Sequence, residues 1–138
     1  MIHYIEKTKE DFVKVAKEHD VFLYDRTLIG YLNELLLETL STLEGRLKAT
    51  KKVFHFKAKI PIFINESTLL IPLIGYRSKT SFYLNYHSIE HFSILKGSKL
   101  YISFRNNHEM KLEKKYGFIK QYEKAKRILD YLEKAKNE

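Results

Sequence analysis

The side chains of this sequence that could do chemistry are of two kinds, six histidines and a large excess of cations. His87 and His91 stand four apart, with Glu90 between them. On a helix that spacing would present two imidazoles to one metal ion. "HSIEHFSIL" reads better as a strand, where such residues share a face but lie about 13 Å apart along the backbone, too far for one ion. There is no glycine-rich phosphate loop, no nucleophile elbow and no pair of carboxylates at acid–base spacing. Cysteine is absent, which excludes disulfides, thiolate metal sites and thiol nucleophiles. The expectation is a protein that is not an enzyme and takes no cofactor and no metal.

The cations are unevenly placed. Residues 1 to 45 carry five Lys/Arg against nine Asp/Glu, a net charge of −4. Residues 46 to 138 carry twenty against eight, a net charge of +12. The switch falls in "STLEGRLKATKK", and from Arg46 to Lys59 there are six cations and no acid: Arg46, Lys48, Lys51, Lys52, Lys57 and Lys59. The segment "GYRSKT" adds Arg77 and Lys79. A field of one sign over most of a small domain points to a polyanion: nucleic acid, an acidic protein or a membrane surface. A lysine-rich surface kept for solubility is the competing reading. Tyr76 and Tyr86, if exposed, could stack on unpaired bases.

These cations must be positioned by a single domain spanning residues 1–138. Its pattern predicts an α+β fold, an antiparallel sheet core of about five to six strands with an N-terminal helical region and a C-terminal helix. A short helix is expected from Lys9 to His19, with Phe12, Val13 and Ala16 on one face. "VFLY" reads as a strand or the approach to a helix. Thr27 can N-cap a helix whose Leu28, Leu32, Leu35, Leu36 and Leu40 line one face, with Gly45 as its stop. In "KVFHFKAKIPIFI", Phe54, Phe56, Ala58 and Ile60 alternate with His55, Lys57 and Lys59, which predicts a strand with one basic face. Pro61 then confines that strand to an edge or ends it.

"TLLIPLIG", "SFYLNY" and "SIEHFSIL" follow as strands, and "KLYISF", "RNNH" and "EMKLE" as a hairpin. From Phe118 to Ala135 the chain reads as a helix with Phe118, Tyr122, Ala125, Leu129 and Leu132 inward. Its Lys120, Lys124, Arg127 and Lys134 make a cationic face. Glu123 and Asp130, four residues before Arg127 and Lys134, would neutralise much of it, so that face is expected to be merely solvated. No pair of short helices with a glycine turn and a basic recognition helix is visible. No secretory leader or bilayer-length apolar run is seen, so a cytoplasmic protein without a membrane partner is expected.

From about Val21 to about Leu132 the chain resembles the competence transcription factor (ComK) family of Gram-positive bacteria. The resemblance rests on "STLEGRLKAT", "KAKIPIFI", "LLIPL", "SFYLNY", "LYISFRNNHEMKL" and "FIKQYEKAKRIL", in that order. Each segment is weak alone; their shared order is the specific part. The resemblance implies a DNA-binding transcriptional activator that binds paired A/T-rich boxes, largely in the minor groove, as dimers that pair on the promoter. It also implies turnover through a protease adaptor. Carried over, Arg46 and Lys48 fall in the DNA-contacting part, and Tyr83 and Asn85 are structural.

The expected DNA-contacting residues are Arg46, Lys48, Lys51, Lys52, Lys57, Lys59, Arg77 and Lys79. For Arg46 a second role stays open, bracing its junction by hydrogen bonds to helix-end carbonyls. The alternatives for the whole chain are a non-specific single-stranded nucleic-acid module and a basic protein-interaction domain.

Overall fold

Val13 and Val15 are fully buried on either side of Lys14, and this alternation decides how the N-terminus folds. In the computed structural model, which describes residues 1–9, 11–74, 79–114 and 117–137, the chain opens with strands and not with the expected helical region. β1 (Ile2–Lys9) and β2 (Phe12–Lys17) pair antiparallel, and β3 (Val21–Tyr24) pairs with β2. β-branched side chains fit a pleated, half-buried surface. Phe12, which the helical spacing placed inward, is exposed.

Two helices follow, and both begin with the same four-residue device. α1 (Leu28–Leu37) is capped by Thr27, whose hydroxyl accepts from the Gly30 amide at 3.0 Å. α2 (Leu43–Phe54) is capped by Thr42, whose hydroxyl accepts from the Gly45 amide at 3.1 Å. A Cβ at Gly30 or Gly45 would lie 2.9 or 3.2 Å from the capping oxygen, so glycine three residues after the threonine gives the cap room. Gly45 therefore sits inside the first turn of a second helix, where the sequence suggested the end of the first.

α2 ends at His55, which adopts a left-handed conformation (φ 59°). Residues 55–61 are irregular, and the next strand begins only at Ile62. The expected basic-faced strand across residues 53–60 does not form. Its phenylalanines turn toward the C-terminal helix instead.

β4 (Ile62–Asn65), β5 (Thr68–Ile74) and β6 (Ser81–Asn85) complete a six-stranded antiparallel sheet of order β3-β2-β1-β6-β5-β4. A 3₁₀ turn at Tyr86–Ser88 leads to a three-stranded sheet of β7 (Ile89–Leu95), β8 (Lys99–Phe104) and β9 (Glu109–Leu112). α3 (Phe118–Lys136) closes the fold. The larger sheet is covered on both faces. α1 and α2 pack on Ile5, Val13, Val15, Ile64 and Tyr83. The smaller sheet and α3 cover Leu69, Ile71, Leu73, Phe82 and Leu84. As expected, Phe118, Tyr122, Ala125, Leu129 and Leu132 face inward on α3.

Asn85 is 0 % exposed and uses its amide four times. Its Nδ2 donates to the carbonyls of Ile2 (2.7 Å) and Ser67 (3.0 Å). Its Oδ1 accepts from the amides of Leu69 (3.0 Å) and His87 (3.2 Å). A buried amide side chain is stable only when satisfied in this way. Asn85 and the buried Tyr83 are thus structural.

Candidate nucleic-acid interface

The left-handed turn at His55 throws residues 55–59 alongside the N-terminal half of α3. Phe54 and Phe56 stack there with centroids 5.2 Å apart at 10°, and Tyr131 meets Phe54 edge-on at 5.4 Å. Phe56 buries itself with Ile60 and Ile128. Two cations of α3 lie over these rings. The Lys124 ammonium is 5.3 Å from the Phe56 centroid and donates to the Ala58 carbonyl at 2.8 Å. The Arg127 guanidinium is 5.1 Å from Phe56 and 5.7 Å from Phe54.

Together these residues wall an open cleft of about 760 Å³. Lys57 and Lys59 line one side; Lys120, Lys124 and Arg127 line the other. Among the described lining residues Glu123 is the only acid. Burial holds the Lys124 pKa below its usual value, and the charges of Lys120 and Lys59 lower it further. Like charges so crowded favour an anion between them.

The expected contact residues fall into separate places. Arg46 turns inward. Its Nη1 donates to the Phe63 carbonyl on β4 at 2.5 Å, and its Nη2 to the Thr39 hydroxyl at 3.2 Å. The single Thr39 hydroxyl proton in turn faces the carbonyls of Leu36 (3.1 Å) and Ile64 (3.3 Å), which share it. The guanidinium also lies over the Phe63 ring, and burial lowers its pKa. This is the geometry of a brace, made to a strand carbonyl and a hydroxyl and not to the expected helix-end carbonyls. Lys48 pairs with Glu44 at 3.3 Å, one helical turn before it. Lys48 and Lys51 border a separate hollow at the α1–α2 corner, with Ile29, Asn33 and Leu47. Lys52 is exposed on the last turn of α2, and Lys79 is exposed just ahead of β6. Arg77 and Tyr76 lie outside the described residues.

Three functional candidates were underrated from sequence. Lys120, Lys124 and Arg127 belong to the cleft, not to an indifferent solvated face. Arg127 lies on phenyl rings where pairing with Glu123 was expected. The signal was present in the i, i+4, i+7 spacing of these cations, but their aromatic partners stand some seventy residues earlier. Tyr86 is half-buried against Tyr122 at 4.9 Å, with its pKa pushed up to about 12 chiefly by burial; it is no exposed stacking ring. His87 sits in the 3₁₀ turn, half-buried with Nε2 unpartnered, and His91 is exposed on β7. Among the described residues, no three or more His, Cys, Asp or Glu side chains gather as a metal site, and no helix is long and apolar enough to cross a membrane.

The architecture is therefore that of a mixed α+β domain bearing a cationic cleft between its second and third helices. The family model for the ComK protein matches residues 1–137, so the chain belongs to the ComK protein family, whose members are competence transcription factor-like regulators. No curated protein and no solved structure matches it.

Proposed function

We propose that this protein is a DNA-binding transcriptional activator that grips A/T-rich duplex DNA through the cleft between residues 55–59 and α3. The observation that carries this reading is the convergence of Lys57, Lys59, Lys120, Lys124 and Arg127 on one concavity with a single acid among its described lining. Backbone phosphates are met by such ridges of cations, and the affinity then falls steeply with salt. In the reading, the four lysines take phosphates, and Arg127 enters the narrow, strongly negative minor groove of an A·T run. Lys51, Lys52 and Lys79 serve as outer phosphate contacts, while Arg46 and Lys48 lie behind. Family membership supports the activator role, the A/T-rich preference, a cytoplasmic location and turnover through a protease adaptor.

The reading includes a homodimer joined at β3. This edge strand has no charge or proline, and Leu23 is 70 % exposed, with Val21 and Phe22 also exposed. Edge strands of this kind invite pairing. An antiparallel copy related by a two-fold axis at Leu23 sets Asp20 opposite Arg26, and leaves both basic clefts free.

Fluorescence anisotropy with A/T-rich duplex, G/C-rich duplex and single-stranded DNA at one salt concentration tests the reading. A/T-rich duplex is expected to bind tightest, with a steep loss as salt rises. Equal or tighter binding of the single strand would overturn it, as would no binding of any form at physiological salt. Sedimentation of Leu23→Lys tests the dimer, which is expected to become a monomer.

A further inference from the structure

We infer that Phe56, with Phe54 stacked on it, is the positioning residue of the cationic cleft, fixing Lys124 for a backbone phosphate and Arg127 for the minor groove without neutralising either. The inference rests on reading the cleft as the DNA face. A free lysine or arginine has rotamer freedom that a ligand must remove when it binds. Proteins usually order surface cations with carboxylates, and the carboxylate then cancels the charge it orders. In this cleft the order comes from a different source. One ring, 8 % exposed, carries two cations on its faces: Lys124 at 5.3 Å and Arg127 at 5.1 Å. Phe54 extends the platform under Arg127 at 5.7 Å, and the Ala58 carbonyl fixes Lys124 from the other side at 2.8 Å.

A phenyl ring attracts a cation through its quadrupole and brings no net charge of its own. A carbonyl likewise brings only a dipole. Arg127 remains exposed, so its charge and part of its hydrogen-bonding fork stay available to a ligand. The rings are also the joint of the site. They belong to the last residue of α2 and the turn that follows it, while the cations they hold belong to α3. The joint helps fix the distance of Lys57 and Lys59 from Lys120, Lys124 and Arg127, beside the Ala58 carbonyl and the Ile60–Ile128 packing. A duplex presents phosphates at fixed spacing, so a rack of fixed cations suits it better than a set of mobile ones.

The experiment is a double-mutant cycle on binding to A/T-rich duplex, run at a temperature where circular dichroism shows every variant folded, and repeated across a salt series. Phe56→Leu keeps an apolar side chain but removes the ring. It is expected to weaken binding by about three- to tenfold, and to flatten the salt dependence. Arg127→Ala is expected to weaken binding at least as much. The double variant is expected to fall well short of the product of the two effects, because Phe56 acts through the cations it holds. Phe56→Tyr is expected to restore binding. Phe54→Leu, at a less buried position, should show a smaller loss confined to Arg127. Wild-type binding by Phe56→Leu, or effects that multiply, would overturn the inference while leaving the cleft as the DNA face. Wild-type binding by Arg127→Ala would overturn the DNA-face reading itself, and the inference with it.

Discussion

Two sets of cations flank the bend at His55, and their surroundings are opposite. On α2, Arg46 is held by the Phe63 carbonyl and the Thr39 hydroxyl, and Lys48 by the Glu44 carboxylate. Across the bend, Lys124 and Arg127 are held by phenyl rings and one carbonyl. The first set is consumed by the fold or paid off by an anion. The second is ordered yet keeps its charge. Sequence places both sets under one heading, basic; only the partner that holds each side chain separates a brace from a cation whose charge is left open to a ligand.

The contrast is sharpest in binding. We expect Lys124→Ala combined with Arg127→Ala to weaken binding to A/T-rich duplex by about ten- to a hundredfold, and to lower the salt slope by about one per lost contact. Lys48→Ala should cost less than about twofold in the same anisotropy titration. A loss from Lys48→Ala equal to that of the α3 pair would erase the distinction between the sets.

Arg46 should show the reverse pattern. Arg46→Ala strands the Phe63 carbonyl and loosens Thr39, and is expected to cost about 1–3 kcal/mol, seen as a melting temperature lower by several degrees. Affinity of the folded fraction should change less than about twofold. Arg46→Lys should recover only part of the stability, because an ammonium cannot supply the guanidinium fork.

A third expectation concerns pH. Lysines and arginines do not titrate near neutrality, so acid sensitivity between about pH 7.5 and about pH 5.5 must arise from other groups. His3 is buried, stacked on Phe104 at 4.6 Å and bonded to Asn106 at 2.9 Å, with Nδ1 unpartnered. Burial is the largest cause of its lowered pKa; His108 and the N-terminus lower it too, against the Asn106 bond and Glu18. The folded state therefore prefers neutral His3. Its stability is full above the unfolded histidine pKa and is lost as pH falls below it. Denaturant unfolding at both pH values should show a shallower acid loss in His3→Gln than in wild type. The smallest effect belongs to the exposed Lys48–Glu44 pair: Lys48→Ala should change stability by less than about 0.5 kcal/mol.

Much of the architecture was legible because its signals were local. The Thr27 cap with its leucine stripe as far as Leu36, the β8–β9 hairpin around its asparagines and the apolar stripe of α3 are each written within a few residues; Leu40, expected on the same stripe, lies beyond α1 and is exposed. What was missed depended on distant partners. Val13 and Val15 alternate as a strand should, but Phe12, Val13 and Ala16 also fit a helix, and the sheet that decides between them is completed by β6, far along the chain. Gly45 resembled a helix stop because glycine commonly ends helices, whereas here it makes room for the Thr42 hydroxyl. The cleft was half visible. Lys57 and Lys59 stand out by charge although the strand their alternation predicts does not form, and Glu123, four residues before Arg127, hides the α3 cations in sequence.

The strand order has a consequence for how the chain is made. β1 lies between β2 and β6, with Tyr4 opposite Leu84, and Asn85 fastens the Ile2 carbonyl. β1 therefore leaves the ribosome well before β6, the strand it must pair with. At typical rates of about 5–20 residues per second, that interval is roughly 4–16 s. During it the β1–β2–β3 meander has no partner on its inner edge, while the exposed β3 strand is already formed on its outer one. The nascent protein is thus most open to mispairing before β6 has been synthesised.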